Sequence, residues 1–408
     1  MTRFLPRPVR SLALAGAALT VLVAGAALPG LGQAAVTPTA LRDVVLVGNS
    51  AAGTVSFLDG HTFANLGSFS VIPDLQQRLN EMTFAERIAY NQVRQQEGGD
   101  RFADDVYLSP DGNTLYVSRG NLDDVAAFDL ATKAQKWRHK TAGYKADHAA
   151  LSPDGTRLIV SATTVAKAEV LNTATGALVT SVATGTYPHG NDYSADGTKI
   201  YNSSIGNVSY PKSLNWAKGA KQLTVIDART FAVLRTYQFT YGIRPAVFTP
   251  DGTTMYAQLS YLNGFIEFNL TTGQTTRTVN MPFSAAGQAL NVDSYPNNSA
   301  HHGMAMSGDG TRLCDVGTID DYTAIIARPA LTTSGTVTYA TGALPYWATT
   351  SVDGRSCLVS LSNANAVSVV DYATGQETAR IPVGSFPQRE RLAKANTAVL
   401  GSLTPPGG

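Results

Sequence analysis

The chain has 408 residues, with 31 Lys and Arg against 30 Asp and Glu and a formal net charge of +1. That balance gives no reason to expect nucleic acid or an anionic membrane surface as a partner. Length alone would suggest two or three domains, but internal repeats override that prior.

Residues 1–34 read as a secretory signal peptide. Arg3, Arg7 and Arg10 precede an Ala/Leu/Val-rich core from Ser11 to Leu28, and Gly32-Gln33-Ala34 offers small residues for cleavage. The alternative is an uncleaved anchor, which the Pro29-Gly30 break disfavours. No later apolar run is long enough to span a bilayer. A secreted or extracytoplasmic monomer, with no membrane span once the signal is removed, is therefore expected.

Residues 35–42 are assigned to a linker and 43–408 to a single domain. Asp43 to Ile72 holds three strand-like runs, VVLVG, GTVSFLD and NLGSFSV. Residues 73–99 break the β pattern. Leu75, Leu79 and Met82 fall at helical spacing, and Thr83-Phe84-Ala85-Glu86 is a capping box opening a second helix to about Gln96.

From there a turn of the type Ser-Pro-Asp-Gly recurs, with variation, at Asp111, Asp154, Asp196, Asp251, Asp309 and Asp353. A second turn, Asp/Asn-x-x-Thr, recurs at Asp59, Asp129, Asn172, Asp227, Asn269 and Asp371. A four-strand unit of this length, too short to bury its apolar face alone, implies an all-β fold: a seven-bladed β-propeller of four-stranded antiparallel blades. Blade 1 lacks its own first strand. The segment 386–401 is expected to supply that strand and close the ring, which removes the exposed edges of an open array. Two further inserts, Ser203 to Gly219 in blade 4 and Phe283 to His301 before blade 6, are expected on the same face as the helical insert 73–99.

The repeat P-x-g-x-a-x-S-P-D-G-x-x-L-Y-V-x, then V-x-V-I-D-x-x-T, is carried by Ser109 to Ser118, Leu223 to Thr230 and Val367 to Thr374. It resembles the bacterial YVTN-type β-propeller repeat over nearly the whole mature chain. The Tyr-Val-Thr-Asn signature itself is not intact, and blade 6 lacks the Asp-x-x-Thr turn. The resemblance implies a propeller and an exported location, and no particular reaction.

The positions five and four residues before each Ser-Pro-Asp-Gly serine begin the innermost strands. They read Asp104-Asp105, Asp147-His148, His189-Gly190, Arg244-Pro245, His302-Gly303, Tyr346-Trp347 and, in the closing strand, Gln388-Arg389. Three of the six histidines share this register, and His301 adjoins it. Imidazoles suit a transition metal, here copper or zinc, with His148, His189, His302 and also His301 as candidate ligands. Asp104, Asp105, Asp147, Tyr346 and Trp347 are candidate ligand-binding residues. His148 as general base and Arg244 as anion clamp are the candidate catalytic pair. The bland alternative is a ring of polar strand starts tolerated at a wet channel mouth.

Two functions fit these residues. One is a scaffold that takes a small-molecule or protein ligand on the loop-decorated face. The other is an exported enzyme with an axial His-rich site, either an oxidase-like copper centre or a lactonase- or lyase-like acid–base site. Trp216 and Tyr210 either form an aromatic wall with Trp347 or, the favoured reading, pack the blade 4 insert down. Finally, Cys314 and Cys357 sit at opposite parity on corresponding strands of adjacent blades. That lets them face each other across the gap, so a disulfide is predicted.

Overall fold

The computed structural model describes residues 40–406; the predicted signal peptide and all of the linker before residue 40 lie outside them. Seven four-stranded antiparallel sheets form the blades of a β-propeller. In blades 2 to 7 the chain runs from the inner strand outwards. The inner strands are Asp105–Leu108, Ala146–Leu151, Pro188–Tyr193, Ile243–Phe248, His301–Met306 and Pro345–Thr350.

Blade 1 is closed by the C-terminal strand Pro387–Asn396, which pairs antiparallel with Leu41–Asn49. Two boundaries differ from expectation. The ladder begins at Leu41, opposite Asn396, so the last linker residues are already sheet. The closing strand does not run to residue 401. The Asn396 side chain accepts from the Ala398 amide and caps a short helix, Thr397–Leu400. Beyond it, Thr404 exchanges backbone hydrogen bonds with Ser68 on the outer strand of the same blade.

The strand sequences explain the packing. Successive side chains on a strand point to opposite faces, and both faces of a blade are covered by neighbours. Val44 and Leu46 therefore enter the gap to blade 2, while Val45 and Val47 enter the gap to blade 7. The same alternation puts one buried apolar cluster into each of the seven gaps. Burying one such side chain contributes about 1.5–3 kcal/mol, which is why the strands read as near-continuous apolar runs.

The recurrent turns hold the blade ends. In blade 3 the Ser152 hydroxyl donates to Asp154, whose carboxylate also accepts from the Thr156 amide at 3.0 Å. Gly155 has φ +71°, and a Cβ there would meet the Pro110 ring of the preceding blade at 2.3 Å. Both the left-handed backbone and the close approach require glycine.

The Cys314–Cys357 disulfide is present, with Cα atoms 6.3 Å apart, and lies within the apolar gap between blades 6 and 7. The helical insert contains two helices, Leu75–Glu81 and Phe84–Gln96, and the second carries the Thr83/Glu86 capping box.

Candidate functional site

The polar and aromatic strand-start residues singled out by register are all buried: Asp104, Asp105, Asp147, His148, His189, Arg244, His302, Tyr346, Trp347, Gln388 and Arg389. They are not a ring tolerated at a wet mouth. A collar covers them, because the three inserts rise on one face and touch one another. Gln96 of the helical insert donates to Ser209 of the blade 4 insert at 2.7 Å. Lys212 and Lys218 of that insert bond to Asp293 and Asn298 of the loop before blade 6, at 2.6 and 3.0 Å. Asn297 of the same loop reaches the Tyr346 hydroxyl at 3.0 Å and takes a hydrogen bond from Arg244 through its carbonyl. The lid is thus built from inserts that are far apart in the sequence.

Beneath the collar, His189 and His302 meet on the axis with their Nε2 atoms 3.4 Å apart. The opposite nitrogen of each ring is already committed. His189 Nδ1 lies 3.1 Å from Asp147 Oδ2, and His302 Nδ1 lies 3.2 Å from the Tyr346 carbonyl oxygen. A carbonyl only accepts, and Asp147 is held ionised, so both Nδ1 atoms carry the proton. Burial alone would raise the Asp147 carboxyl, but Lys145 and the His189 hydrogen bond hold it below the usual carboxylate range. Each facing Nε2 is therefore an unprotonated lone pair.

His148 packs against His189, with ring centroids 4.2 Å apart, and its Nε2 is 3.4 Å from Asp147 Oδ1. Its Nδ1 is buried without a hydrogen-bond partner, as is Asp147 Oδ1. One ligand atom from each of Asp147, His148 and His189 can be chosen so that all lie within 4.8 Å of one another. Burial first, and then the nearby cations, push His148 and His302 well below the usual imidazole range, and His189 to about 4. The downward shift favours the neutral form of His148, which keeps a ring lone pair.

The other candidates separate into distinct roles. His301 is taken up elsewhere: its Nε2 is 2.9 Å from Asn263 and its Nδ1 is 3.0 Å from Asp315, with the Tyr322 hydroxyl alongside. It stands one residue from His302 on a strand whose successive side chains point opposite ways, so it does not join the axial group. Asp105 forms a two-pronged pair with Arg391 at 2.9 and 2.8 Å and braces the ring closure. The Asp104 carboxyl is pushed well above its ordinary value, first by burial and further by Glu97 and Asp147, and its Oδ2 has no partner. Tyr346 stacks on His302 at 4.1 Å, and Trp347 lies under the Arg389 guanidinium at 3.4 Å. Trp216 is 81% exposed and Tyr210 is exposed too, so they neither pack the blade 4 insert down nor wall the channel with buried Trp347.

Sequence reasoning missed several neighbours. Lys145 pairs with Glu97 at the end of the helical insert and lies 3.9 Å from Asp147. Asn297 and Glu97 belong to inserts, and nothing in a repeat register points to them. Arg389 was legible in the register but had no assigned partner.

No protein-family model matches the chain, and no curated protein matches it. Solved structures with a similar fold include Kuenenia stuttgartiensis hydrazine synthase. It has a TM-score of 0.54 and 16% identity, and the match covers 73% of this chain and 96% of that one. Another is the dihydro-heme d1 dehydrogenase NirN in complex with DHE, with a TM-score of 0.52, 14% identity and coverage of 88% and 76%. At these identities the likeness is one of fold.

Proposed function

We propose that the protein binds a transition metal ion, copper or zinc, on the propeller axis through His189 and His302. The observation that carries this is the pair of facing lone pairs. Two acceptor nitrogens 3.4 Å apart repel each other unless a cation lies between them. With metal–nitrogen bonds of about 2.0–2.1 Å, that separation subtends roughly 110° at the metal, the angle of a tetrahedral site. Asp147 and the Tyr346 carbonyl then play the orienting role that a metal-bound imidazole usually receives at its other nitrogen. The collar and the narrow space around the ring favour a small ligand at this centre over a protein segment. Such a ligand is the substrate of an axial enzyme site or the cargo of a binding protein.

A second reading rests on the outside of the collar. Each of its three inserts exposes a large apolar side chain, namely Phe84, Trp216 and Phe283. A protein ligand on that rim is the scaffold function expected of a decorated propeller face. Under either reading we place the protein outside the cytoplasm, because the disulfide suits an oxidising compartment.

The test is metal analysis after loading with copper or zinc and exhaustive dialysis. Wild type should hold one equivalent per chain. The His189→Ala/His302→Ala variant should fall to background, and His61→Ala, altered in an exposed turn, should keep one equivalent. Equal metal in wild type and the double variant would sink the metal reading and leave the collar surface as the functional one.

A further inference from the structure

Two arginines at the axis lack the counter-charge that burial demands. Arg244 is 1% exposed. Its Nε donates to Ser260 Oγ at 3.1 Å and its Nη2 to the Asn297 carbonyl, but its Nη1 is buried with no partner. Arg389 is 3% exposed, and its guanidinium carbon lies 3.4 Å from the Trp347 ring centroid. Among the described residues, neither side chain has a carboxylate within ion-pairing distance. Of the acids around Arg389, Asp105 is already held by Arg391, Asp147 by His189 and Lys145, and burial pushes the Glu390 carboxyl well above its ordinary value.

Both arginines line one small cavity of about 20 Å³, together with His189, Ser203, Asp192 and Trp347. Arg244 and His189 also border a second cavity of about 40 Å³ on the collar side. About 10–15 Å³ of such space admits a single water, so each holds one to a few non-hydrogen atoms. Among the described residues, no acid facing these cavities lies within ion-pairing distance of either arginine. Burial raises the Asp192 carboxyl to about 6, which leaves it largely ionised at neutral pH but not paired with them. Asp147 is engaged by His189 and Lys145, and Glu97 by Lys145. The Ser203 hydroxyl accepts from the Gly190 amide at 3.0 Å, which leaves its own proton to donate. Burial lowers both arginines to about 10, so they still carry their charge at neutral pH. A buried unpaired charge is strongly unfavourable, and folds that keep one supply its partner.

We infer that Arg244 and Arg389 form a binding site for a small monoanion of the carboxylate type, of formate or bicarbonate size, held beside the axial histidines. A planar oxyanion matches the planar donor fork of arginine, and the cavity volumes exclude anything much larger. The site stands on the arginines and their cavity, and does not require the metal.

The experiment titrates formate into EDTA-stripped protein at constant ionic strength and follows the thermal midpoint. In wild type the midpoint should rise with formate and level off. In Arg389→Met the half-effect concentration should rise at least tenfold. Arg389→Lys, which keeps the charge but loses the fork, should fall between them. Arg244→Met provides an independent reading where Arg389→Met fails to fold. An identical formate response in wild type and the arginine variants would overturn the proposal. So would a response seen only after metal loading, which would make the anion a ligand of the metal. Formate binding by a protein that takes up no metal would support the anion site and defeat the metal reading alone.

Discussion

Ala149 and Ala150 follow directly on Asp147 and His148 in the inner strand of blade 3, and all four are buried. The alanines enter the apolar gaps to blades 2 and 4. The Asp–His pair, at the start of the strand, joins the charged group on the axis. The two regions are equally dry but differ in what satisfies them. In the gaps, the sheet ladders satisfy the backbone and the side chains are apolar, so burial is stabilising throughout. On the axis, strand starts from different blades bring imidazoles, carboxylates and guanidiniums together. Asp147 Oδ1, His148 Nδ1 and Arg244 Nη1 remain without partners there. Apolar burial is concentrated in the gaps, and the unpartnered polar groups are gathered at one end of the axis, where a rigid ring can hold them.

The largest break in this arrangement is truncation before Phe386. It removes the inner strand of blade 1, leaves Leu41–Asn49 as an open edge, and takes Arg391 from Asp105. The truncated chain should lose its cooperative thermal transition; an unchanged transition would show that closure contributes nothing. Next is Asp105→Ala, which takes the buried carboxylate from half-buried Arg391. Removing one partner of a buried pair costs about 3–5 kcal/mol, read as a lower midpoint in urea. A loss under about 1 kcal/mol, the scale of an exposed pair, would mean that water reaches the ring closure.

The disulfide probes a gap instead of the axis. Cys314→Ala/Cys357→Ala opens a loop with a sequence separation of 43 and should cost about 2–4 kcal/mol. Metal uptake should be unaffected, since the bond lies away from the histidines. The smallest effect is a pH dependence at the base of the collar. Burial first, with Asp124 adding to it, raises the Asp123 carboxyl to about 7, and its Oδ2 has no hydrogen-bond partner. The folded state therefore holds this proton more tightly than the unfolded chain. Its contribution is present in full at acid pH and is lost as pH rises from about 4 through about 7. Asp123→Asn should flatten that decline in thermal midpoints between pH 5 and 8. A variant as pH-sensitive as wild type would place the titration on another group.

What the sequence determined by itself was everything periodic. The two recurring turns, the apolar alternation and the missing first strand of blade 1 prescribe seven blades and their closure. The opposite parity of Cys314 and Cys357 prescribes the disulfide. These features are local, or repeat at a fixed interval, so counting residues recovers them. The same register found His148, His189, His302 and Arg244, because a propeller brings equivalent positions to one axis. It could not say which way each ring points. His301 and His302 are neighbours in the chain, yet one bonds to Asn263 and lies against Asp315 while the other faces His189 across the axis. Nor could it supply Glu97 and Asn297, which reach the site on inserts outside any repeat. Only the tertiary structure decided that the strand starts are covered rather than wet. It also decided which nitrogens keep a lone pair and which arginines lack an acid. Those properties depend on distances between side chains far apart in the sequence, and the charge state of each follows from what its neighbours leave unsatisfied.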